Sequence, residues 1–254
     1  MKAYAKANIF LKIVGLDTRG YHLLNSRFIL LKDLYDELYL SNEKTQEGFE
    51  IISDFYCENN IIKKAYHLLC NYGYKKELEE LFKNKSLKLI KNIPTGAGLG
   101  GGSSNCASFL ILINETLNLK LSTQELINLS IKLGSDIAFF LSGFHSANVK
   151  GCGEIIDAFE DEIPHINWTF PQIFCDTNEV YKEFDKKKYD FELNLKQAKI
   201  YENLSTKEIL QIYKNFELND LFTPCVSLYP KMLNYLENQY FLSGSGSSVF
   251  KVCK

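Results

Sequence analysis

The chain has 254 residues, with 29 Lys+Arg against 31 Asp+Glu, 46% hydrophobic and 24% charged residues. This is the profile of a globular protein of one large or two modest domains, and it excludes a disordered, fibrous or membrane-embedded chain. A formal charge of -2 offers no global field for nucleic acid or an anionic membrane, so neither is an expected partner and any anionic ligand needs a local device. Arg19 and Arg27 are the only arginines, which leaves backbone amides and lysines as the main means of holding an anion.

In chain order, residues 3–14 and 26–40 mix β-branched, aromatic and alternating residues and predict two strands around a loop containing Gly15, Asp17 and Gly20. Ile61, Ile62, Ala65, Leu68, Leu69 and Tyr72 recur at helical spacing, predicting a helix over 60–72 with Asn at its cap. A second helix is expected over 75–83. Leu87, Leu89 and Ile93 then alternate with polar residues, a strand expected to stop at Pro94. Residues 94–108, PTGAGLGGGSSNCAS, place five of the fifteen glycines between 96 and 102, directly before an apolar segment. This predicts a glycine loop opening a helix at Ser103 or Ser104.

Ser122 and Glu125 form a capping box for a helix ending at Gly134, and a second box pairs Ser205 with Glu208. Residues 146–176 look strand-rich, an apolar helix is expected over 228–236, and a second glycine cluster, LSGSGSSVFKV, occupies 242–252. The shift after Gly143 from helix-rich to strand-rich sequence suggests domains at 1–145 and 146–254. Blocks of strands and helices without βαβ alternation favour an α+β fold.

The seven cysteines (57, 70, 106, 152, 175, 225 and 253) and four histidines are scattered without metal-ligand spacing. Free thiols in a reducing cytoplasm are expected, and no structural zinc. Lys6 and Lys12 interrupt the apolar N-terminal stretch, and no run approaches the ~18 apolar residues of a membrane span, so the chain reads as soluble and cytoplasmic.

A glycine run lets successive N–H groups converge, and the following helix adds unpaired amides and the positive end of its dipole, which makes an anion site. A Walker P-loop needs Lys after the last glycine, whereas Gly102 and Ser103 follow Gly101. Gly96, Gly98 and Gly101 satisfy G-x-G-x-x-G, but βαβ context is missing, and HRD and DFG are both absent. From the residues alone Asp136, in GSDIAFFL, reads as a helix cap, Lys6 as an edge-strand lysine and His22 as a structural histidine.

Taken whole, Pro94 through Ala107 resembles the phosphate loop of the GHMP kinase superfamily. AKANIFLKIVGLDTRGYHLL at 5–24 and SGSGSSVF at 243–250 resemble its N- and C-terminal blocks. Three glycines before SSN resemble the branch acting on a CDP-methylerythritol in the non-mevalonate route to isoprenoid precursors. The departures are Arg19 where the family usually has Asp, Cys106 for a common Ala, and an end four residues after Phe250.

The resemblance implies a two-domain α+β fold with the active site in the cleft between domains, and a kinase that uses ATP and Mg²⁺ to phosphorylate the 2-hydroxyl of this small molecule. It implies Asp136 as general base with Lys6 as its partner. Pro94, Gly96, Gly98, Leu99, Gly100, Gly101, Gly102, Ser103 and Ser104, with Asn60 and Lys91, would hold ATP. The metal would be carried by ATP, near Ser104, with no protein metal site. Asn8, Tyr21 and His22 would bind the substrate, His22 reading the cytosine edge while Tyr21 stacks on its face.

Overall fold

The computed structural model describes residues 1–55, 60–236 and 239–253. Its mixed α+β architecture begins with two long strands, β1 (Lys2–Leu16) and β2 (His22–Ser41), which pair with each other. The chain forms two compact units interleaved in sequence. The first comprises Met1–Ala5, Leu31–Ile93 and Gly100–Gly143, the second Lys6–Leu30, Pro94–Leu99 and Phe144–Lys254.

In the first unit the C-terminal half of β2 runs antiparallel to β4 (Ser86–Ile90), from Glu37 opposite Ile90 to Ser41 opposite Ser86, and β3 (Ile51–Ile52) lies parallel to β4. Five helices surround these strands: α1 (Ile61–Leu69), α2 (Lys75–Asn84), α3 (Gly101–Thr116), α4 (Thr123–Ser130) and α5 (Ile137–Ser142). Their apolar faces meet in one core, where Leu38, Leu87 and Leu89 pack with Ile62, Leu69, Phe82, Phe109, Ile113 and Ile137. Asn60 caps α1, its Oδ1 accepting the Ile62 N–H at 2.9 Å.

The expected helix over 60–72 is regular only to Leu69. A π-helical turn follows at Cys70–Tyr74, because Gly73 adopts a φ of 121° and breaks the right-handed run before α2. The strand expected to reach Pro94 stops at Ile90. The buried Asp36 carboxylate takes the amides of Asn92 and Ile93 at 2.7 and 2.8 Å, removing them from the ladder.

In the second unit the N-terminal half of β2 pairs antiparallel with β5 (Ser146–Gly151), and β5 with β6 (Ile155–Ala158). A separate antiparallel sheet has the order β7 (Ile166–Thr169), β9 (Val249–Val252), β8 (Phe241–Leu242). Helices α6 (Thr177–Asp185), α7 (Phe191–Tyr201), α8 (Thr206–Ile212), α9 (Asn215–Leu218) and α10 (Phe222–Leu228) complete the unit. The expected α-helix over 228–236 is instead the end of α10 and a 3₁₀ helix at Pro230–Tyr235. Pro230 bars the α conformation at Tyr229, which takes φ -123° and ψ 72°, and has no N–H to continue the ladder.

Two buried ionic groups tie this unit together. Arg27 is fully enclosed, its guanidinium donating to Asn148, Asp161 and the carbonyls of Tyr201, Glu202 and Leu204. Lys12 pairs with Asp220, whose other oxygen accepts from the Ile13 N–H and Asn194 Nδ2, each at 2.8 Å. Asp220→Ala would leave the buried Lys12 ammonium without its counter-ion, with only the Glu217 carbonyl at 3.3 Å, so denaturant titration should show a loss of about 3–5 kcal/mol of stability. A loss below about 1 kcal/mol would mean that Lys12 reaches solvent in the variant.

The described cysteines, 70, 106, 152, 175, 225 and 253, are free thiols, and Cys57 lies outside the described residues. No described helix is long and apolar enough to cross a membrane.

Candidate active site

The glycine loop is built from alternating backbone conformations. Gly96, Gly98 and Gly100 take φ of 71°, 73° and 68°, the left-handed region that side chains disfavour. The residues between them are anchored: the Ala97 carbonyl accepts from the Ser248 N–H at 3.2 Å, and the Leu99 carbonyl from the Lys6 N–H at 2.9 Å. Helix α3 then starts at Gly101 with Gly100 as its N-cap, ahead of the expected Ser103 or Ser104, and no side chain caps it. Ser103 and Ser104 therefore do not open the helix, as the sequence suggested, but are members of its first turn. Left-handed Gly100 turns the chain into the helix before the serines are reached. The amides of Gly101, Gly102 and Ser103 are left without a side-chain oxygen, at the positive end of a 16-residue helix.

In the first unit, two glycines bring the starts of three helices together around Ile61. A Cβ on Gly102 would lie 3.9 Å from Ile61 Cγ2, and one on Gly134 3.6 Å from Ile61 Cδ1. This arrangement gathers Asn60 at the start of α1, the glycine loop at α3 and the Gly134–Asp136 turn at α5. Asp136 is half-buried at the N-cap position of α5, yet its carboxylate does not cap that helix. Lys91 lies close by, its Nζ 3.4 Å from a Cβ placed on Gly101. Its ammonium is paired with buried Asp36, and Asn60 Oδ1 is engaged by its own helix.

In the second unit, Lys6 is buried and donates from Nζ to Asn8 Oδ1 at 2.7 Å, with the ammonium 4.4 Å from the centroid of the Phe28 ring. Asn8 in turn donates from Nδ2 to Ser26 Oγ at 3.0 Å and from its backbone N–H to Ser243 Oγ at 3.1 Å. The C-terminal glycine motif is thereby joined to the N-terminal strand, and Asn219 fixes the motif by donating to the carbonyls of Leu242 and Gly244. The same motif abuts the glycine loop: a Cβ on Gly98 would sit 2.7 Å from the Gly246 carbonyl oxygen.

Tyr21 and His22 form another cluster of this unit. Tyr21 is 62% exposed, whereas His22 packs against Tyr181 with ring centroids 4.8 Å apart and places Nε2 2.7 Å from Asp185 Oδ1. Ser26, Asp36, Asp185 and Asn219 escaped the sequence reading, since an isolated polar residue in a strand or helix carries no local mark of a distant partner. Ser243 alone had one, the serine-glycine cluster.

These features define a class, the GHMP kinases. The sequence profile described as "GHMP kinases N terminal domain" matches residues 60–144, which run from the cap of α1 past α5. The chain is 70% identical to the 4-diphosphocytidyl-2-C-methyl-D-erythritol kinase of Campylobacter jejuni subsp. jejuni serotype O:6, covering 99% of both chains. It is 32% identical to the Helicobacter pylori (strain J99) protein of that name, over 99% of this chain and 93% of the other. Among solved structures it resembles a 4-(cytidine 5'-diphospho)-2C-methyl-D-erythritol kinase with a TM-score of 0.70 and 26% identity, covering 100% of this chain and 90% of that one. The Methanococcus jannaschii mevalonate kinase shares the fold, with a TM-score of 0.60 at 13% identity. The chain belongs to the 4-diphosphocytidyl-2-C-methyl-D-erythritol kinase family.

Proposed function

We infer that the protein transfers the γ-phosphoryl group of ATP to the 2-hydroxyl of 4-diphosphocytidyl-2-C-methyl-D-erythritol, in the cytoplasm. The observation that carries this reading is the run of left-handed glycines at 96, 98 and 100 entering an uncapped α3. Such a backbone offers several amides to a polyphosphate at a helix N-terminus. Residues 1–145 would form the ATP-binding domain, although Lys6–Leu30 and Pro94–Leu99 of that span belong to the second compact unit. Residues 146–254 would form the substrate-side domain, which supplies Tyr181 and Asp185 to His22.

Phosphoryl transfer needs charge neutralisation and a positioned acceptor more than covalent chemistry. We assign Asp136 to accept the proton of the attacking hydroxyl and Lys6 to stabilise charge on the transferring oxygens, with Asn8 orienting Lys6 and the acceptor. Pro94, Leu99 and Gly101–Ser104 shape the phosphate site, and Asn60 and Lys91 flank it. Among the described residues no group of three or more His, Cys, Asp or Glu could hold a metal. A Mg²⁺ would enter on the ATP phosphates and keep most of its water, with the hydroxyl of Ser103 or Ser104 as a protein oxygen. Bound there, the ion would neutralise phosphate charge.

His22 and Tyr21 are assigned to the cytosine. With Nε2 held by Asp185, His22 has its Nδ1 edge left to meet the polar edge of the base, and exposed Tyr21 offers a face for stacking. An ADP-release assay across a panel of alcohols tests the function. Turnover of the CDP conjugate, with none of mevalonate, homoserine or free methylerythritol, is expected, and equal use of the free polyol would overturn the assignment. His22→Ala and Tyr21→Ala should each lower kcat/KM for the CDP substrate by roughly 1–3 kcal/mol, Tyr21→Phe far less, with ATP affinity unchanged in all three. If His22→Ala weakens ATP instead, His22 does not read the base.

A further inference from the structure

We propose that Arg19 is the specificity residue that grips the diphosphate of the pyrimidine nucleotide, an inference that rests on the assignment of Tyr21 and His22 to the base. Of the two arginines, Arg27 is wholly enclosed by internal acceptors, whereas the Arg19 side chain is 64% exposed. Its position is nevertheless fixed. Asp17 Oδ1 accepts the backbone N–H groups of Arg19 and Tyr21 at 2.8 and 2.9 Å, and Asp17 Oδ2 accepts from Arg19 Nε and Nη2, each at 2.7 Å. The turn is closed by the Asp17 N–H donating to the Tyr21 carbonyl at 2.8 Å and the Gly20 N–H to the Asp17 carbonyl at 3.0 Å.

One edge of the fork is thus held by Asp17, Nη2 also reaches Cys152 Sγ at 3.9 Å, and the guanidinium of this mostly exposed side chain lies 5.0 Å from the centroid of the Tyr21 ring. A planar donor edge held beside a base-stacking ring suits the charged group that follows base and ribose in a nucleoside diphosphate ester. The side chain is preorganised, so little rotamer entropy is lost when the phosphate arrives. Because Asp17 already offsets part of the charge, the gain is one charge-assisted hydrogen bond rather than a full clamp.

The test measures competition by cytidine, CMP and CDP against the CDP substrate in wild type and Arg19→Ala. Wild type should prefer CDP to cytidine, and the variant should lose about tenfold of that preference. Its affinities for cytidine and ATP should stay within about twofold. KM for the CDP substrate should rise about tenfold while kcat holds. An unchanged CDP-to-cytidine ratio overturns the proposal, as does equal weakening of both ligands, which would make Arg19 a support for the Tyr21 ring. Failure of the wild type to turn over the CDP substrate would instead strike the functional reading, and it is read in a separate assay.

Discussion

Asp136→Asn is expected to lower kcat by about 10²–10⁴, the usual contribution of a positioned proton acceptor, while ATP affinity is retained. Aspartate at a helix start is ordinarily there to cap, and its loss then costs stability. Here the carboxylate accepts no first-turn amide of α5, although it occupies the N-cap position. The helix is anchored by Ile137, Ala138 and Phe139, all buried, and its placement against α3 does not depend on a cap. The asparagine variant should therefore melt within a few degrees of the wild type, so that the kinetic loss is not a folding defect. Single-turnover transfer from labelled ATP, with calorimetric ATP affinity beside it, measures both terms. Normal turnover in a folded variant would remove Asp136 from the mechanism.

The second large effect is expected at Gly98. Alanine there would have to hold φ near 73°, at a cost of roughly 1–2 kcal/mol, and its Cβ would lie 2.7 Å from the Gly246 carbonyl oxygen and 3.2 Å from that of Ser243. Both obstacles are backbone, so no rotamer change relieves them. Either the loop or the C-terminal motif has to shift, and the neighbouring anchors at Ala97 and Leu99 shift with it. ATP affinity should fall by on the order of 10², about 2.7 kcal/mol, with cytidine affinity changed far less. Gly48→Ala is the control: Gly48 has the same φ of 73° as Gly98, nothing lies within 4 Å of its Cβ, and it has no place in the phosphate site, so ATP affinity should hold. Calorimetry showing equal ATP binding by wild type and Gly98→Ala would contradict the loop assignment.

The features legible in the sequence are those whose physics is local. The capping boxes Ser122–Glu125 and Ser205–Glu208 form as their spacing predicts, because the reciprocal bonds span three residues and need nothing else. Asn60 caps α1 for the same reason. The long strands follow from their β-branched and aromatic residues. The glycine loop was readable because few other residues adopt its backbone, and the three blocks that resemble GHMP kinases lie at the loop, the N-terminal strand and the C-terminal motif.

Tertiary structure decided where those elements stop and which polar groups meet. Strand β4 ends at Ile90 because a carboxylate 55 residues from Lys91 captures that lysine and the two amides after it. Helix α3 starts at Gly101 because left-handed Gly100 turns the chain into it before the serines. Asn8 finds Ser243 across 235 residues, and His22 finds Asp185 across 163. A capping or periodic signal decays within one helical turn, whereas a buried donor or acceptor must be satisfied by whatever packing brings near, at any sequence distance. The residue types at the site could thus be named from the sequence, but their partners could not.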